Sequence, residues 1–96
     1  MVAATKKLLH TVAEELCLSS EEVVKRGLRS LVERQLREIN AEIFHLTGHY
    51  NVFNVQEMEA RYQDGTLEEA TSWKDLQRLD HLEYKQERLS TILRAC

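Results

Sequence analysis

No proline interrupts residues 19–50, and within that stretch Val32, Leu36, Ile39, Ile43, Leu46 and Tyr50 recur at alternating steps of four and three. Such spacing is the seam of a helix packed nearly parallel or antiparallel to another. A helix of this length spans roughly 46 Å at the usual rise. A compact globule of about 100 residues has a radius of gyration of only about 13 Å. The helix therefore outgrows a small sphere, and its seam needs a cover along the whole length.

Local signals divide the rest of the 96 residues into further helices. Leu8, Leu9, Val12, Ala13 and Leu16 share one face of a first helix over Thr5–Leu16, too short to be stable without docking. Ser19 and Glu22 form a capping box flanked by Leu18 and Val23 at the positions of a hydrophobic staple. Val23, Val24, Gly27, Leu28, Leu31 and Val32 then form a face broad enough for two neighbours, with Gly27 a candidate for close backbone approach. Phe44 lies beside the seam. Asn51 is suited to the left-handed conformation that ends a helix.

Asn54 and Glu57 repeat the cap, Phe53 and Met58 the staple, and Gly65 is the expected stop of a short third helix. Thr66 to Glu69 predicts an isolated turn. Ser72, with Asp75 three residues on, predicts the start of a fourth helix running to Cys96. Its seam is Leu79, Leu82, Gln86, Leu89, Leu93 and Cys96. The polar Gln86 either fixes the register of the pairing or lies at the seam's edge. The expected fold is one all-α domain. It consists of a long antiparallel helical hairpin, a short N-terminal helix and a short connecting helix, assembled as a dimeric bundle.

Composition removes several function classes. The net charge is −3, with seven Lys/Arg against seven Asp/Glu in residues 1–50 and six against nine beyond. Any nucleic-acid surface must therefore be local, and Lys25, Arg26, Arg29, Arg34 and Arg37 form the only broad basic arc. Glu22, Glu33 and Glu38 lie close enough in sequence to neutralise much of it. The longest apolar runs are far short of a membrane span or a signal peptide, which places the expected chain in the cytoplasm. Cys17 and Cys96 then read as reduced thiols.

Candidate chemistry is sparse. Glu42-x-x-His45 resembles half of a dimetal carboxylate site, and His45 and His49 stand one turn apart, but no second Glu-x-x-His pair exists. The seam also turns Glu42, His45 and His49 away from the interior. His81, between Asp80 and Glu83, has no nucleophile, glycine-rich turn or phosphate cradle to work with. Trp73, at a helix start, is either core or a binding anchor. No catalytic residue, cofactor or metal is expected, and a metal-dependent helical enzyme is the weakest of the three functional alternatives.

Residues 12–34, from Val12-Ala13-Glu14-Glu15-Leu16 through Leu18-Ser19-Ser20-Glu21-Glu22 to Leu28-Arg29-Ser30-Leu31, resemble the two helices of ribbon-helix-helix repressors. Tyr50-Asn51-Val52, Gly65 and Ser72-Trp73-x-Asp75 resemble small prokaryotic proteins of antitoxin-like character. The resemblance implies an obligate dimer, a toxin-like protein partner or an operator, and no catalytic residues. It departs from the family at Met1–Lys7, too short and alanine-rich for a strand that reads DNA, and at Cys17, where glycine is usual. The expected function is a non-enzymatic regulatory module acting by helix–helix association. Its expected interface is Val24, Leu28, Val32, Leu36, Ile39, Ile43, Leu46, Leu82, Gln86 and Leu89. A repressor contacting nucleic acid through Lys25, Arg26 and Arg29 is the alternative.

Overall fold

A computed structural model describes residues 1–96 and contains four helices and no strand: α1 (Ala3–Leu16), α2 (Ser20–Tyr50), α3 (Val55–Asp64) and α4 (Glu69–Ala95). The expected all-α fold is the one observed. No helix is long and apolar enough to cross a membrane. The molecule is a rod, 61 × 23 × 17 Å, with a radius of gyration of 19.7 Å.

Most local punctuation falls where the side chains demand it. The Ser19 hydroxyl accepts from the Glu22 N–H at 3.0 Å, and Asn54 accepts from the Glu57 N–H at 2.9 Å. Both satisfy donors that a helix start leaves free. The Glu22 carboxylate does not reach back to complete its box and pairs with Arg26 instead. Asn51 (φ 53°) and Gly65 (φ 79°) end α2 and α3 in the left-handed conformation. Cys17 does the same for α1 at φ 55°, a conformation that costs a side chain about 1–2 kcal/mol.

Four expectations need correction. α4 starts at Glu69, not Ser72, so no isolated turn precedes it. Thr66 is tied back to the Asp64 carboxylate, which holds the Asp64 carboxyl below its usual range. Ser72 lies buried inside the helix, where its hydroxyl donates to the Glu68 carbonyl and meets the Tyr62 hydroxyl at 2.7 Å. Phe53 is 87% exposed and forms no staple, while Met58 is fully buried. Gly27 faces open space, with no atom within 4 Å of where a Cβ would stand.

α2 and α4 run antiparallel. Tyr50 meets Asp75, Glu42 meets Arg78 and Asn40 meets Gln86, so numbers fall along one helix as they rise along the other. Leu36, Ile39, Leu79 and Leu82 are buried in the seam between them, and Val32, Ile43, Leu46, Leu89 and Leu93 are half-buried. The densest core lies at one end. There Val52, Val55, Met58 and Leu79 form a cluster, with Ile43, Leu46, Tyr50, Tyr62, Leu67 and Leu76 packed around it.

Candidate functional site

The polar groups at the packed end fasten elements together. Arg78 grips Glu42 with two hydrogen bonds, at 3.0 and 2.7 Å, the fork geometry that gives an ion pair direction as well as charge. The Arg78 hydrogen bond outweighs partial burial and holds the Glu42 carboxyl below its usual range. Arg61 of α3 donates to the carbonyls of Tyr50 and Asn51, the last acceptors of α2. Glu83 of α4 accepts from the Val55 N–H at the start of α3. The Tyr50 hydroxyl donates to Asp75, and that bond, with burial, pushes its pKa up to about 12. The side-chain amide of Gln86 donates to Asn40 at 2.6 Å across the seam, so the polar seam residue has a partner on the facing helix.

The sequence candidates for chemistry do not converge. Glu42 is committed to Arg78, while His45 and His49 are exposed and His49 sets its ring edge-to-face on Tyr50 at 4.6 Å. No three His, Cys, Asp or Glu side chains are grouped as metal ligands. His81 is exposed and lines a shallow groove with Glu38, Glu42, Arg78 and Lys85. Cys17 and Cys96 are free and exposed. Trp73 is 42% exposed in a shallow hollow with Glu69, Ala70, Leu76 and Gln77, so it is neither core nor fully presented.

The basic arc is largely neutralised along its own helix. Arg26 pairs with Glu22 and Arg29 with Glu33, both at 3.0 Å, and Arg34 with Glu38 at 3.7 Å. Lys25 and Arg37 have no carboxylate within salt-bridge distance. The segment that would carry a DNA-reading strand is helical from Ala3 onward.

The seam residues expected to meet a partner are occupied within the chain. Leu36, Ile39 and Leu82 are buried by the pairing of α2 with α4, and Val32, Ile43, Leu46, Gln86 and Leu89 belong to the same contact. Val24 and Leu28 are the exposed members of that set. Phe44 and Phe53, 80% and 87% exposed, stand out in the head half, whereas a larger group of uncovered aliphatic side chains lies at the other end of the rod. α4 stops beside Leu28, where Ala95 and Cys96 line one hollow with Lys25 and Leu28. The first turns of α2 therefore extend past their cover, and α1 only partly replaces it.

In residues 1–35 Ala13 alone is buried. Leu8 and Leu16 of α1, and Leu28 and Leu31 of α2 (each of these two 56% exposed), all face solvent. The broad apolar face at the start of α2 thus has α1 as one neighbour and lacks the second. The sequence places Leu8, Leu16 and Leu31 on apolar faces but leaves them out of the expected interface, because spacing alone does not say which apolar positions stay uncovered.

The elongated shape gives the chain a large surface for its mass. A compact monomer of 11.2 kDa exposes about 5,700 Å² by the usual scaling. This chain exposes 7448 Å².

Fold and surface together define an elongated helical hairpin with a locked head and an uncovered arm. The chain belongs to the uncharacterized protein MJ0235 family, whose model it matches over residues 1–96. No curated protein and no solved structure matches it.

Proposed function

We propose that this protein is a non-enzymatic interaction module of the regulatory, antitoxin-like kind, acting by helix–helix association through its arm. The observation that carries the reading is the set of uncovered apolar side chains on α1 and the first turns of α2: Leu8, Leu16, Val24, Leu28 and Leu31. A group of exposed apolar side chains on one part of a small chain is the kind of surface on which another macromolecule sits. The head is fastened by contacts between elements: Arg78 of α4 grips Glu42 of α2, Arg61 of α3 holds the end of α2, and Glu83 of α4 holds the start of α3. A repressor working through Lys25, Arg26 and Arg29 has less support, since two of the three are paired with glutamates.

A photo-crosslinking residue in place of Leu31, in living cells of the native host, tests the reading. Discrete protein adducts from position 31, and none from a control at Glu87 on α4, are expected. Absence of any protein adduct at positions 28 and 31 overturns it.

A further inference from the structure

α1 carries its charges in the wrong order for a helix that stands alone. Lys6 and Lys7 lie in its first half and Glu14 and Glu15 in its last turn, with no acidic residue in the first turn and no basic one in the last. A helix macrodipole favours the opposite order. None of the four charges has an ion-pair partner within the chain; the five pairs present all lie elsewhere. A charge pattern that disfavours α1 by itself is explained if an antiparallel neighbour carries the complementary order.

A second copy of α1 carries it. On the exposed side of α1, Ala4, Leu8, Thr11 and Glu15 recur at steps of four, three and four, and Lys7 and Glu14 flank that stripe one heptad apart. When two such helices run antiparallel about a two-fold axis, equivalent flanking positions meet. Lys7 then faces Glu14 of the partner subunit, and symmetry makes the pair twice. Leu8 packs opposite Thr11 of the partner subunit near the axis. A two-fold contact uses the same patch on both chains, so a self-complementary pattern is what it requires.

From these observations we infer that the arm is covered by a second copy of this chain, with α1 packed antiparallel on α1 across a two-fold axis near Leu8 and Thr11. The arrangement rests on the interaction-module reading and names its occupant. The apolar surface such a contact would bury is at hand: Leu8, Leu16, Val24, Leu28 and Leu31 all stand exposed in the arm. Val24, Leu28 and Leu31 supply the apolar part that α1 lacks, and the charges set orientation.

Sedimentation velocity of the full chain, from low micromolar to hundreds of micromolar, reads the association directly. Dimers are expected. Lys7→Glu and Glu14→Lys should each weaken dimerisation about tenfold, as two attractive pairs become repulsive. The double variant should recover wild-type association, and an equimolar mixture of the two single variants should form heterodimers. Each single reversal brings α1 into better agreement with its dipole, so loss of association cannot be ascribed to an unfolded α1; far-ultraviolet circular dichroism checks that. Glu87→Lys, on α4, should change nothing.

A monomer at every concentration overturns the inference, as does a double variant no better associated than the singles. Discrete adducts at position 31 with a different protein, alongside a monomer in the centrifuge, overturn the second copy and leave the interaction-module reading standing. No adduct at all removes both.

Discussion

The long helix α2 runs through both ends of this rod, with α1 packed on it at one end and α3 and α4 at the other, yet the two ends are held in different ways. At the head, Met58 has no exposed surface and Leu79 is 1% exposed, and α3 is clasped by Arg61 on one side and Glu83 on the other. In the arm only Ala13 is buried, and the ion pairs join neighbours along a single helix. Helices form at both ends, although α1 starts without a side-chain cap. Cross-helix polar contacts and burial distinguish a part that is finished within one chain from a part that is not.

Core truncation should separate the ends most strongly. Leu79→Ala is expected to cost about 3 kcal/mol in chemical denaturation, whereas Leu28→Ala, at dilution where the chain is unassociated, should cost less than about 0.5 kcal/mol. Equal losses would mean that the arm is as well packed as the head.

Tyr50→Phe comes next, removing a half-buried hydrogen bond to Asp75 at a cost of about 1–1.5 kcal/mol. The same contact sets an alkaline limit. Tyr50 has an ordinary pKa of 10.0 and a folded value of about 12, so its contribution is complete below pH 10 and is lost as pH rises towards 12. An alkaline melting series on wild type and Tyr50→Phe should converge over that window.

Backbone substitutions probe the arm's turn and the head's last helical turn at a smaller scale. Cys17→Gly relieves a left-handed residue and should stabilise the α1–α2 turn by about 1 kcal/mol. Gly48→Ala, with open space around it, should stabilise α2 by slightly less, and an unchanged melting temperature would count against that placement.

The smallest effect is acid-dependent. Glu42 is held below its normal pKa of 4.5, so its contribution is present above that pH and lost as pH falls through the lower, folded value. Both side chains are more than a third exposed, so solvent screening leaves the pair a weak contributor. Glu42→Gln should slightly flatten the acid limb of stability.

What could be read from sequence was whatever is decided within one or two helical turns. Ser19, Asn54, Asn51 and Gly65 act on their own neighbours, so their roles survive into the fold. The seams of α2 and α4 are also legible, because a repeat of four and three fixes a face whatever covers it. Ser72 was misplaced because its role is set by the fold: it lies buried inside α4, donating to the Glu68 carbonyl and meeting the Tyr62 hydroxyl of another helix. The expected interface residues divide into covered and bare ones for a related reason. Leu36 and Leu28 look alike in the pattern, and only the point where α4 stops, beside Leu28, separates a covered leucine from a bare one. Arg61 and Glu83 gave no signal, since each serves a helix end that sequence spacing does not bring near.

The reversed charge order of α1 has a thermal consequence. A fourteen-residue helix set against its own dipole and buried at one residue should unravel well before the head does, so the dilute chain should not melt as a single cooperative unit. A heating curve followed by amide absorbance should begin to fall while the fluorescence of Trp73, on α4, is still flat. A calorimeter should record a shoulder ahead of the main peak, and raising the protein concentration should merge the two.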